Sequence, residues 1–155
     1  MALLVVCRKY GIVPELGVMD LGFISNAVAL RDNGVLPGRS WFLLELDSPA
    51  YGAGPQVAPA TVANYDHLAA TLQIHFPGAA WAAHGHGTAG FPILHRALTR
   101  GAHIRAGFED SVQLPDGRLA TDNSELVAWT VAAALQTGRT PVTGPTALSI
   151  MTARH

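Results

Sequence analysis

Apolar and polar positions along the chain switch between two periods. Short runs that are apolar throughout, or that alternate every second residue, predict strands. Longer runs with apolar residues three and four apart predict helices. Strands are expected at Ile12-Val13 with Leu16 to Met19, at Trp41 to Leu46, at Ala79 to Ala83, and at the start of the stretch Ala102 to Asp110. The second is almost wholly apolar, as a parallel strand covered on both faces requires. Helices are expected at Leu3 to Tyr10, Ser25 to Asn33, Thr61 to about His75, Phe91 to Arg100 and from Asn123 onward, with a short last one opened by Pro145 and Thr146. Thr61 is a natural N-cap, and Val62, Tyr65, Leu68, Ala69 and Leu72 make the apolar stripe behind it. Leu126, Val127, Val131 and Leu135 form the corresponding stripe of the long helix. Gly11, Gly34, Gly101 and Gly138 stand where helices should stop. The first helix has Arg8 and Lys9 in its last turn but no N-cap, so it is expected to be the tail of a longer one.

Four strands, each followed by a helix, make alternating βα units and argue a parallel sheet with helices outside. Pattern alone is equally satisfied by a small doubly wound, ligand-binding domain. No repeat, low-complexity tract or linker divides the chain, so residues 1–155 are expected to form one domain. The connection from Ala50 to Pro59, rich in Gly, Ala and Pro, is long for a βα loop and reads as a surface loop or a lid.

Composition narrows the classes. With 49% hydrophobic and 14% charged residues among 155, the chain is far from disordered and can bury a real core. A net charge of −1 without a basic run gives nucleic acid or an anionic membrane no electrostatic support. The apolar opening Met1 to Cys7 has no basic residue before it and is too short for a secretion signal. No run reaches the eighteen or so apolar residues of a membrane span. A single cysteine, Cys7, excludes an internal disulfide framework. The expectation is a cytoplasmic protein.

The chemistry concentrates in Ala102-His103-Ile104-Arg105-Ala106-Gly107-Phe108-Glu109-Asp110. If the strand period holds, His103, Arg105, Gly107 and Glu109 share one face. A guanidinium and a carboxylate on a buried strand are costly to desolvate and persist when paired, metal-bound or engaged with a ligand. Asp110 puts a second carboxylate at the strand's carboxyl end, where catalytic groups collect in barrels and open α/β sheets. A plain Arg105–Glu109 ion pair explains the same residues. Upstream, His84-Gly85-His86 offers two histidines two apart, either a metal-ligand pair on one strand face or polar residues of a Gly-rich loop.

The same stretch, with Leu119-Ala120-Thr121-Asp122-Asn123-Ser124-Glu125-Leu126-Val127 after it, resembles the β-keto acid cleavage enzymes. Pro14-Glu15-Leu16-Gly17-Val18-Met19-Asp20 and Ala29-Leu30-Arg31-Asp32-Asn33-Gly34-Val35-Leu36-Pro37 resemble that family too, in the right order. The resemblance spans nearly the whole chain but only the C-terminal half of the family's barrel. It therefore implies a (β/α) half-barrel, four parallel strands with outer helices, corresponding to strands five to eight of a TIM barrel. The implied reaction is zinc-dependent: a β-keto acid and acetyl-CoA give acetoacetate and a new CoA thioester.

Matched position by position, the resemblance makes Glu109 the zinc-ligating carboxylate and Asp110 the acid–base residue at the substrate's α-carbon. Arg105 would support substrate and Asp110 by its charge. Glu15 occupies a strand where the family carries two carboxylates, the second of which falls on Gly17. The family's His-x-His zinc ligands come from an early strand with no counterpart here. Zinc would then need His84 and His86 or an N-terminal half-barrel partner, and the chain by itself is expected to be a poor catalyst or a silent fragment. Open sheet edges imply a homo-oligomer or such a partner. Asp122-Asn123-Ser124 reads as a helix cap, and the helix start it forms suits an anion such as a CoA phosphate.

Overall fold

The structure, a computed structural model, describes residues 2–36, 40–47 and 58–152. Pro37, Ser48-Pro49 and nearly all of the Ala50 to Pro59 loop lie outside the described residues. The elements follow in the order α1 (Ala2–Tyr10), β1 (Glu15–Val18), α2 (Leu21–Asp32), β2 (Trp41–Leu46), α3 (Val62–His75), β3 (Trp81–Gly85), α4 (Gly90–Thr99), β4 (His103–Ile104), α5 (Asn123–Gln136) and α6 (Gly144–Thr152). All strand pairs are parallel, and the sheet order is β1-β2-β3-β4. This is a (β/α) half-barrel, with β1 and β4 as its edges.

The two faces of β2 explain the architecture. Phe42, Leu44 and Leu46 point one way and bury against Ile24 and Ala27 of α2, Tyr65, Leu68, Ala69 and Leu72 of α3, and Ile93 and Ala97 of α4. Each large side chain buried there contributes about 1.5–3 kcal/mol. Trp41 and Leu43 point the other way, toward what would be a barrel's lumen, and meet Val13, Ala82 and Ile150. That contact was not anticipated: α6 folds back beneath the inner face. Between them lies a cavity of about 490 Å³, bordered by Trp41, Leu43, His103, Arg105, Arg139 and Ile150 among others.

Several expected boundaries move, each for a local reason. β1 starts at Glu15, not Ile12, because Trp41 N–H donates to Pro14 O and pairing begins there. α2 begins four residues early, since Asp20 caps it by accepting from Gly22 N at 2.6 Å and Phe23 N at 3.3 Å. Thr61 caps α3 as expected, accepting from Asn64 N. The long helix α5 buries a different face. Leu126 is inside, but Val127, Val131 and Leu135 are exposed, while Ala133 and Ala134 pack on Leu98 of α4. Small residues let α5 approach α4 closely, and Trp129 stacks edge-on against Phe91, with ring centroids 4.7 Å apart.

Candidate active site at the carboxyl ends of the strands

Strand register arranges the inner face in rows. Glu15 sits opposite Trp41, and Gly17, Leu43, Ala82 and His103 form the next row. Glu45 pairs with His84 in the row nearest the carboxyl ends. Arg105 N–H donates to Ala83 O, which sets Arg105 beside that last row just beyond β4. The expected strand from Ala102 stops at Ile104, and a turn follows in which Asp110 N and Ser111 N both donate to Gly107 O. Asn123 of α5 fixes the turn by accepting from Phe108 N at 3.0 Å, and Gly87 N donates to Asp110 O.

The turn rearranges the acidic pair. Arg105 and Glu109 do not form the buried pair that strand alternation suggests: Glu109 is 81% exposed, and its carboxylate stands 3.9 Å from Arg105 Nη2. Asp110 curls back instead. Its side chain is only 6% exposed and accepts from Arg105 Nη2 at 2.6 Å and Nε at 3.2 Å. Charge-assisted, two-point contacts of this kind are the strongest hydrogen bonds a protein makes.

His84 completes the cluster, and its position revises the loop alternative. It lies inside β3 with no solvent exposure, because β3 runs two residues further than the sequence suggests. Its Nδ1 is 3.1 Å from Asp110 Oδ1, yet off the line of a hydrogen bond, so among the described residues this buried nitrogen has no directed partner. Its Nε2 is 3.1 Å from Arg105 Nη2 and 3.5 Å from Glu45 Oε2. Glu45 was not anticipated. It fills the space above Gly17, where a Cβ would collide with its Oε1. The Glu45 carboxylate thus occupies the space that a side chain at position 17 would take.

The charges of the cluster are set by one another. Burial disfavours a charged His84, but the carboxylates of Asp110 and Glu45 outweigh it and raise the imidazole above its ordinary pKa. His84 in turn holds Glu45 below the usual carboxylate range, against the cost of burial. Burial alone would push Asp110 up, yet His84 and Arg105 bring it down. His86 is depressed by its own burial and then by its neighbour His84. The net result is ionised carboxylates facing cations at the sheet's carboxyl end.

One ring nitrogen from each of His84 and His86 and one Asp110 oxygen lie within 4.8 Å of one another. Glu109 is not in this group. Glu15 lies at the opposite end of the strands, bordering the inner cavity. Of the residues singled out from sequence, the fold brings Arg105, Asp110, His84 and His86 together, with Glu109 exposed beside them at 3.9 Å from Arg105 and Glu15 at the far end of the strands.

The sequence model of the beta-keto acid cleavage enzyme family matches residues 1–152. The chain belongs to that family. It is 30% identical over 141 residues to a 3-keto-5-aminohexanoate cleavage enzyme of Fusobacterium nucleatum, a match covering 91% of this chain and 48% of the relative. It is 32% identical over 132 residues to the 3-oxoadipate:acetyl-CoA acetyltransferase of Cupriavidus necator, covering 85% of this chain and 44% of that one. The chain thus spans about half the length of the curated relatives it matches. Among solved structures it resembles ObcA in a ternary complex with a C4-CoA adduct and oxalate, with a TM-score of 0.75 and 18% identity. That match covers 97% of this chain and 40% of ObcA. At that identity the likeness speaks for the fold alone, and it agrees with half a barrel.

Proposed function

We propose that this chain serves the reaction of its family: transfer between acetyl-CoA and a β-keto acid to give acetoacetate and a new CoA thioester. The observation that carries the reading is the buried Asp110, gripped by Arg105 next to His84 at the carboxyl ends of the strands. Asp110 is the base that takes the proton from the carbon between the two carbonyls. Arg105 keeps it ionised and offers charge to the keto acid. His84, held toward its cationic form, adds positive potential where the enolate develops. The chemistry favours an acidic, CoA-linked substrate over a neutral one.

A zinc on Glu109, as the resemblance implies, would need its other ligands from an N-terminal half-barrel. Among the described residues, no group of three His, Cys, Asp or Glu donors includes Glu109, and a zinc centre takes at least three protein ligands. No step is assigned to a metal on that residue. Glu15, at the amino end of β1 and bordering the inner cavity, is assigned no part at the reacting bond.

The working unit is proposed to be an assembly. β1 and β4 are sheet edges, and exposed edges are usually covered. A second copy or an N-terminal half-barrel would cover both. The lone cysteine suits a cytoplasmic location.

The test is acetoacetate formation from acetyl-CoA with a panel of β-keto acids, 3-oxoadipate and 3-keto-5-aminohexanoate among them. Formation faster than without protein, for at least one acid, supports the reading. No acceleration for any acid favours a silent fragment.

A further inference from the structure

We propose that His84, His86 and Asp110 form a divalent transition-metal site of this chain, taking zinc or a metal of like preference through two imidazoles and one carboxylate. The inference goes beyond the proposed reaction and stands on geometry whether or not the chain turns over a substrate.

Three observations carry it. The three donor atoms already lie within 4.8 Å of one another. A tetrahedral metal with bonds of about 2.1 Å would draw them to about 3.4 Å, so side-chain movements of roughly an ångström complete the site. Next, His84 Nδ1 is a fully buried polar atom that finds no hydrogen-bond partner among the described residues. An unsatisfied buried nitrogen is destabilising, and a metal bond would satisfy it. Finally, the remaining contacts suit an outer shell. Arg105 Nη2 at 3.1 Å and Glu45 Oε2 at 3.5 Å both engage His84 Nε2, so Nδ1 is the ring nitrogen that faces Asp110 and is placed to ligate. Arg105 holds both oxygens of Asp110, Nε on Oδ2 at 3.2 Å and Nη2 on Oδ1 at 2.6 Å, and Oδ1 also lies 3.1 Å from His84 Nδ1, so its second lone pair faces the histidines.

The backbone supports the same geometry. α4 begins so close to the end of β3 that a Cβ on Gly90 would collide with the Gly85 backbone, and His86 N donates to Leu46 O at 3.2 Å. Those contacts hold His84 and His86 side by side, with ring centroids 5.2 Å apart. Two imidazoles and a carboxylate leave at least one coordination position open, as in catalytic rather than structural sites. Proton and metal compete for Nδ1, so the positive charge beside Asp110 is supplied by one or the other.

The experiment loads the full chain with zinc, dialyses it and measures bound metal. It then repeats the loading with cobalt, whose visible absorption reports coordination without reference to activity. The expected result is about one metal per chain, retained in Glu109→Gln and weakened more than roughly a hundredfold in His86→Ala and Asp110→Asn. His86 is partly exposed, so its variant should keep the helical circular dichroism of the unchanged chain and separates ligand loss from unfolding. Substoichiometric metal, or binding lost in Glu109→Gln but kept in His86→Ala, overturns the proposal. Both readouts are of bound metal and are made without the acetoacetate assay.

Discussion

Arg105 grips Asp110, five residues later, with Nη2 at 2.6 Å from one carboxylate oxygen and Nε at 3.2 Å from the other. The spacing is neither that of a strand nor of a helix; the turn at Gly107 creates it. The contact ties the last strand to the loop that carries both acidic residues, and it decides which of them is held in the site.

The first consequence concerns stability. In Arg105→Ala the Asp110 carboxylate, 6% exposed, loses its fixed partner. Breaking a fully buried pair costs about 3–5 kcal/mol. Arg105 is itself 37% exposed, so about 2–3 kcal/mol is expected, read from denaturant midpoints. Glu109→Gln should shift the midpoint by less than about 0.5 kcal/mol. Equal losses in the two variants would mean that Arg105 serves both carboxylates alike.

Gly17 and Glu45 form a second coupled pair. Gly17→Ala puts a methyl group where the Glu45 carboxylate lies, and is expected to cost about 1–3 kcal/mol. Glu45→Ala should relieve most of that cost, with a coupling of about 0.5–3 kcal/mol in a double-mutant cycle. Strict additivity would show that the two positions do not contend for one space.

Titration of the metal-free chain should separate the two histidines. His84 is raised above 6.5 and His86 lowered below it. A raised folded-state pKa gives stability that is full below 6.5 and lost as pH rises through the folded value. Imidazole NMR is the check: His84 should titrate last, and Asp110→Asn should bring it down. An order with His86 above His84 would count against the cluster's electrostatics.

The start of α5 supplies a prediction away from the site. Glu125 accepts from Arg118 and from Thr121 N, and its pKa falls from 4.5 to about 2. Because the folded value is the lower one, the contribution is present above about 4.5 and fades as pH drops toward 2. Acid unfolding of Glu125→Gln should therefore show a shallower pH dependence over that interval. An unchanged slope would mean the pair does not outlast solvent competition.

Much of the fold was legible because one physical rule fixed each piece. The apolar run Trp41 to Leu46 had to be a covered parallel strand, and Thr61 with its stripe had to open α3. The site was legible only in part. Alternation put Arg105 with Glu109, but Gly107 and the Asn123 side chain end the strand and turn Asp110 inward, a contact across fifteen residues that no local period encodes. Glu45 was readable in principle: a carboxylate inside an otherwise apolar strand needs a partner. Its partner His84 emerged only from register between strands. The exposed Val127, Val131 and Leu135 show the same limit, since the α4 surface, not the helix period, selected the buried face of α5.

The central claim is that Asp110 is the reactive centre of this half-barrel. The most direct measurement is the rate of acetoacetate formation from acetyl-CoA and the preferred β-keto acid in Asp110→Asn, compared with the unchanged chain at equal folded fraction. Loss of the base predicts a fall of about a hundredfold or more, with Glu109→Gln staying within about fivefold of the unchanged chain. An Asp110→Asn rate within about twofold of the unchanged chain, or a collapse confined to Glu109→Gln, would contradict the account.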